Sequence, residues 1–128
     1  MVKAMEGTRL LLVDDEVAYL EVLAKRLNHR GFDVTTASSG EEAIRAVRNQ
    51  DFDLAVVDLK MEDMDGIEVL KVLRRMDPDL QVIILTGHGS ERAARDGLAQ
   101  GAFDYLIKPI GLDPLIERIR AALWSGKS

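Results

Sequence analysis

The feature that most constrains this chain is an alternation, repeated five times, between a short aliphatic run and a longer stretch with helical spacing. The short runs are Leu10 to Val13, Val34 to Ala37, Leu54 to Val57, Val82 to Leu85 and Tyr105 to Ile107. They are nearly continuous in apolar character, as strands covered on both faces are, whereas a half-exposed strand alternates apolar with polar residues. Between them lie apolar stripes: Val17, Leu20, Leu23, Ala24 and Leu27; Ala43, Ile44 and Val47; Ile67, Leu70 and Leu73; Ala94 and Leu98; and Leu112, Leu115, Ile116, Ile119 and Leu123. Each stripe sets one helix face against a sheet and leaves charges outside. Parallel strands joined by helices need right-handed crossovers, so the expected architecture is α/β, a doubly wound sheet with helices on both faces.

Local punctuation agrees. Ser39 followed by Glu42 predicts a capping box, Ser90 a cap for the fourth helix, and Asp113 ahead of Pro114 a capping carboxylate for the fifth. Gly31 and Gly101 stand where the first and fourth helices should stop, because glycine enters the left-handed conformation without steric cost. No linker interrupts the series, so residues 1–128 read as a single domain with its core at about 9–123.

Charge narrows the classes. With 17 Lys and Arg against 22 Asp and Glu, the net charge is -5, which argues against direct binding to nucleic acid or an anionic membrane. No apolar run approaches the roughly 20 residues that cross a bilayer, and residues 1–7 lack the apolar core of a signal peptide, so a cytoplasmic chain is expected. The absence of cysteine removes disulfides, thiolate zinc sites and cysteine nucleophiles.

Ligands of doubly wound sheets bind at the carboxyl ends of the strands. Asp14, Asp15 and Glu16 follow the first strand, Asp58 the third, Thr86 ends the fourth, and Lys108 and Pro109 follow the fifth. Singly, each has a plain structural use as helix cap, turn residue, strand residue or solvated charge. Together they converge on one rim, where two carboxylates about 4 Å apart repel by about 4 kcal/mol at an effective dielectric of about 20. A divalent cation and a lysine relieve that repulsion, and hard oxygen donors suit Mg²⁺. Carboxylate, magnesium, hydroxyl and ammonium make up equipment for phosphoryl transfer.

Five ordered blocks extend this reading: LLVDDE at Leu11 to Glu16, AVVDLKM at Ala55 to Met61, MDGIEVL at Met64 to Leu70, VIILTGHGS at Val82 to Ser90 and GAFDYLIKP at Gly101 to Pro109. From about Arg9 to Leu123 the chain resembles the receiver domain of bacterial two-component response regulators. The resemblance implies a flavodoxin-like (βα)5 fold with five parallel strands in the order 2-1-3-4-5. It implies that Asp58 is the nucleophile that takes a phosphoryl group from a histidine kinase or a phosphotransfer protein, forming an aspartyl phosphate. Asp15 would bind Mg²⁺ directly, Asp14 mainly through water, and the Lys60 backbone carbonyl would complete the protein ligands. Lys108 would pair with the phosphate, and Pro109 would follow a cis peptide bond that aims it.

Thr86 and Tyr105 would form the switch. The hydroxyl turns toward the new dianion and the ring moves inward, so that the change shows on the face of the fourth helix, fifth strand and fifth helix. There family members meet partners or form homodimers. Lys60 and His88 would modulate the access of hydrolytic water, and Gly87 and Gly89 would keep the loop before the fourth helix compliant.

One position departs from the pattern. Many receivers carry proline where this chain has Glu62, and the loss of a fixed dihedral predicts a looser loop around the Lys60 carbonyl. The added carboxylate is expected near the metal, where it would alter Mg²⁺ affinity or phosphate lifetime. Met61 and Met64 read as packing residues, His29 as structural, and Trp124 as a helix end or interface residue. Leu98 with the alanines at 93, 94 and 99 gives the fourth helix a weak apolar face, suited to an element that shifts.

Other readings compete. A phosphorylation-independent interaction module usually lacks one of the acidic or lysine positions, and here all are present. A phosphatase of the haloacid dehalogenase type also uses Asp, Mg²⁺, Thr and Lys, but wants a second acid where Lys60 stands. An FMN carrier needs a phosphate-binding loop after the first strand, where Asp14, Asp15 and Glu16 would repel the phosphate. The leading expectation is a signalling domain that catalyses only its own phosphorylation and dephosphorylation.

Overall fold

The computed structural model describes residues 7–87 and 91–126. Strands and helices alternate as β1 (Arg9–Val13), α1 (Val17–His29), β2 (Asp33–Ala37), α2 (Gly40–Asn49), β3 (Leu54–Val57), α3 (Gly66–Met76), β4 (Gln81–Thr86), α4 (Glu91–Ala99), β5 (Asp104–Ile107) and α5 (Leu112–Gly126). All neighbouring strands are parallel, in the order β2-β1-β3-β4-β5. The expected doubly wound topology is the observed one.

Alternation along the central strands divides the core in two. Leu10, Leu12, Leu54, Val56, Ile83 and Leu85 pack with Leu20 and Leu27 of α1 and Leu115 and Ile119 of α5. Leu11, Val13, Ala55, Val57, Val82 and Ile84 pack with Ala43 of α2 and Val69, Leu70 and Leu73 of α3. Successive strand residues face opposite sides, so a run apolar at every position needs a helical layer on each.

Coverage on both faces holds for β1, β3 and β4 but not for the edges. Of β2 only Ala37 is buried, and β5 has no fully buried residue. An edge strand has a sheet neighbour on one side only, which leaves its side chains partly open. Two stripes also need correction. Val17 and Leu98 are exposed, and α4 instead buries Gly97 against Ile84, a contact a larger residue could not make as closely.

Gly31 and Gly101 end their helices as expected, with φ of 96° and 106°. In each case the glycine amide and the one after it reach back into the last turn: Gly31 to Asn28 and Phe32 to Leu27, Gly101 to Leu98 and Ala102 to Gly97. That pair of bonds satisfies carbonyls the helix leaves open. The Ser39 hydroxyl accepts from the Glu42 amide at 3.1 Å, but the Glu42 carboxylate reaches the Ser38 amide, one residue earlier than a standard box. Asp113 does not cap α5. The helix begins ahead of it, and Asp113 pairs with Arg30 at 3.0 Å. The expected cap at Ser90 lies outside the described residues, as do Gly89 and His88.

Gly97→Ala tests how tightly α4 sits. Its new methyl would press on the end of the Ile84 side chain, which can rotate away, while the helix gains propensity of about 1 kcal/mol. Chemical denaturation should therefore show a stability change within about 1 kcal/mol.

Candidate functional site

Backbone ladders place the site. The Asp14 amide continues the β1 ladder onto the Ala37 carbonyl at 3.1 Å, the Asp58 amide bonds the Val13 carbonyl at 2.9 Å, and the Lys108 amide bonds the Thr86 carbonyl at 2.9 Å. Each side chain therefore starts at the carboxyl end of its strand with its root held by the sheet. The Lys108–Pro109 bond is cis.

Asp14, Asp58 and Thr86 are buried, with 4%, 3% and 0% of their surface exposed, an unusual depth for carboxylates. The Lys108 ammonium lies among the acids, 2.6 Å from Asp14 Oδ2, 3.1 Å from Glu16 Oε1 and 3.5 Å from Asp58 Oδ2. It also stands 4.4 Å from the centre of the Tyr19 ring, on α1. Burial alone would lower the lysine pKa. The bonds to Asp14 and Glu16 and the charge of Asp58 outweigh it and raise the pKa above the ordinary value, so the ammonium stays charged. Burial pushes the Asp14 carboxyl up, against the Lys108 bond and the Glu16 amide, which donates to Asp14 Oδ1 at 2.9 Å. Burial likewise raises the Tyr19 phenol.

Asp14, Glu16 and Asp58 bring one oxygen each within 4.8 Å of one another, a donor set that could hold a metal ion. At that spacing or closer each pair of charges repels by at least about 3 kcal/mol at an effective dielectric of about 20, which Lys108 relieves in part and a bound cation would relieve further. The resemblance to receiver domains implies a direct metal contact at Asp15, with Asp14 mainly through water. Among the described residues, Asp15 is half-buried and outside this trio, and Glu16 is inside it. Glu16 was legible as a third acid in the run, whereas Tyr19 carried no signal beyond being aromatic.

Thr86 ends β4 opposite Ile107, and Tyr105, opposite Ile84, packs half-buried against the α2 and α3 side of the core. Lys60 is exposed, and its amide lies 3.4 Å from Asp58 Oδ1. Glu62 is exposed and is not one of the clustered acids.

The loop after Asp58 is tied at several points despite the missing proline. Lys60 and Asp65 form an antiparallel bridge, the Gly66 amide bonds the Leu59 carbonyl at 2.7 Å, and Asp65 caps α3 through the Ile67 amide at 2.8 Å. Asp63 accepts from the Gly40 and Glu41 amides of α2, both at 3.0 Å. Those two bonds hold its carboxyl below the ordinary value of 3.8. A depressed folded value means that this stabilisation is present above 3.8 and is lost as pH falls through the folded value. Asp63→Ala should thus lose stability at neutral pH, by about 1 kcal/mol as for other lost caps, and lose less in acid; urea melts at several pH values would show it.

The family model described as the response regulator receiver domain matches residues 10–120. The chain belongs to that family. The receiver is 41% identical over 114 residues to the transcriptional regulatory protein GlrR of Escherichia coli K12, a match covering 89% of this chain and 26% of that protein. It thus spans about a quarter of the length of this relative. A response regulator receiver domain protein (CheY-like) from Methanospirillum hungatei superposes with a TM-score of 0.92 at 31% identity, covering 95% of this chain and 98% of that one. The response regulator TrrA of Thermotoga maritima, solved in complex with Mg(2+)-BeF, gives 0.81 at 31% identity over 90% of this chain and 98% of that one. The receiver is therefore a signalling domain of two-component systems. No described helix is long and apolar enough to cross a membrane.

Proposed function

We propose that Asp58 accepts a phosphoryl group from the phosphohistidine of a histidine kinase or phosphotransfer protein, in a Mg²⁺-dependent transfer. The observation that carries this reading is the buried Asp14 and Asp58 pair with Lys108 lodged between them and Glu16 closing the group. Asp58 attacks phosphorus with a carboxylate oxygen. A P–O bond forms as the donor's P–N bond breaks, and the imidazole leaves.

The donor set is all oxygen, which suits Mg²⁺, and the Thermotoga relative holds Mg(2+)-BeF. Asp14, Glu16 and Asp58 supply the gathered oxygens. Asp15 and the Lys60 carbonyl, the further donors that the family likeness implies, stand beside them in sequence. When bound, Mg²⁺ supplies charge neutralisation at the phosphoryl oxygens. Lys108, at 3.5 Å from Asp58 Oδ2, would pair with those oxygens as a point charge.

Thr86 and Tyr105, on adjacent strands, would carry the change to the face of α4, β5 and α5, where a partner or a second copy of the chain docks. Lys60 and His88 would set phosphate lifetime. The reading makes residues 1–128 one cytoplasmic receiver domain that catalyses only its own phosphorylation and dephosphorylation. Incubation with a small phosphodonor and Mg²⁺ should add one phosphoryl mass to the wild type and none to Asp58→Asn, and EDTA should abolish the gain. No gain in the wild type, or an equal gain in Asp58→Asn, overturns the reading.

A further inference from the structure

We propose that Asp63 is a positioning residue for the phosphoacceptor site: by gripping the start of α2, it holds the loop that carries Asp58 and Lys60 in place. The inference rests on the reading of Asp58 and the acidic cluster given above.

Both Asp63 oxygens are committed. Oδ1 accepts from Gly40 and Oδ2 from Glu41, two successive amides at the open end of α2. A carboxylate there satisfies donors the helix leaves unpaired and meets the positive end of its dipole. Ser39 serves the next amide, Glu42, so α2 has a cap of its own and Asp63 adds a link from a distant segment. The neighbouring acid, Glu62, is exposed and outside the clustered carboxylates. Both consecutive acids are exposed, and Asp63 is the one that tethers α2.

The tether continues as packing. A methyl at Gly40 would come within 2.7 Å of the Met64 sulfur and 2.9 Å of Val69, so the start of α2 presses directly on the residue after Asp63 and on α3. On the other side of the loop, the Lys60–Asp65 bridge and the bond from Gly66 to Leu59 close a short path back to Asp58. Asp63 lies between these two anchors. A loop that lacks the rigidity of a proline is pinned from outside, by a helix on which it has no covalent hold. Released from α2, its segment from Lys60 to Asp65 would sample more conformations, and the groups beside Asp58 would lose their preset place.

The test compares wild type, Asp63→Ala, Asp63→Asn and Glu62→Ala. Amide hydrogen exchange is followed at residues 40–41 and 59–66, and Mg²⁺ affinity is measured by calorimetric titration with MgCl₂. In Asp63→Ala, exchange should rise in both segments together and Mg²⁺ affinity should fall by about tenfold, the loss usual when a support of a metal ligand is removed. Asp63→Asn, which keeps one acceptor oxygen, should fall between, and it carries the test if the alanine variant does not fold. Glu62→Ala, whose side chain makes no bond to α2 among those described, should leave the exchange of residues 40–41 near wild type.

If residues 40–41 open while residues 59–66 and Mg²⁺ affinity stay unchanged, Asp63 is a helix cap only and the inference is overturned. Should the wild type itself bind no Mg²⁺, the failure belongs to the reading of the metal site. The exchange of residues 59–66 then decides the tether alone.

Discussion

Gly66→Ala is expected to lower stability by about 3 kcal/mol and to cut phosphoryl uptake at Asp58 more than tenfold. The methyl would collide with the Asp58 carbonyl oxygen and come within 2.5 Å of the Leu59 Cα. Both obstacles are backbone, and both belong to the segment that leaves β3 for the loop, so neither can rotate aside as Ile84 can for Gly97. The first turn of α3 must retreat, or Asp58 must move from its bond to the Val13 carbonyl. Either shift strains the Gly66 to Leu59 bond at 2.7 Å. Gly87→Ala is the control for stability, because among the described residues nothing lies within 4 Å of the atom it would add. Equal urea midpoints for Gly66→Ala and wild type would refute the steric argument, and normal uptake by a destabilised Gly66→Ala would separate folding from function.

Lys108→Met is expected to have a comparable effect by a different route. It removes the cation from among three carboxylates whose oxygens lie within 4.8 Å, and two of them, Asp14 and Asp58, are buried. Breaking a buried pair on one side leaves uncompensated charge and typically costs about 3 to 5 kcal/mol. In metal-free buffer the thermal midpoint should fall by about 10 °C or more. Saturating Mg²⁺ should return part of this, by about 2.7 kcal/mol at one hundred times its Kd, since a cation bound only to the folded chain stabilises it by mass action. Thermal melts of wild type and variant in EDTA and in MgCl₂ provide the measurement. A variant as stable as wild type in EDTA would show that the acids do not need the lysine.

Much of the architecture was legible because burial repeats along one dimension. Leu54 to Val57 is apolar at every position because helices cover both sides of β3, and that is visible without any coordinates. The edge strands are less covered than their apolar runs suggest, since Val34 and Tyr105 look the same in sequence whether or not a neighbour covers them. In the helices, Val17 and Leu98 fit the period but are exposed. Gly97, which makes the close contact, is silent in any hydrophobic pattern.

What the sequence determined by itself is the alternation of strands and helices, the stops at Gly31 and Gly101, and the end of the sheet at which Asp14, Asp58, Thr86 and Lys108 gather. These follow from local period, local dihedral preference and the rule that strands running in parallel bring their ends together. Only the tertiary structure decided that Glu16 gathers with Asp14 and Asp58, that Tyr19 lies against Lys108, and that Asp63 grips α2. Each of those depends on the direction a side chain takes where a strand turns into a helix, or on the approach of segments more than twenty residues apart. A difference of one residue in the turn sends a carboxylate to another partner, and no spacing rule along the chain records which one it meets.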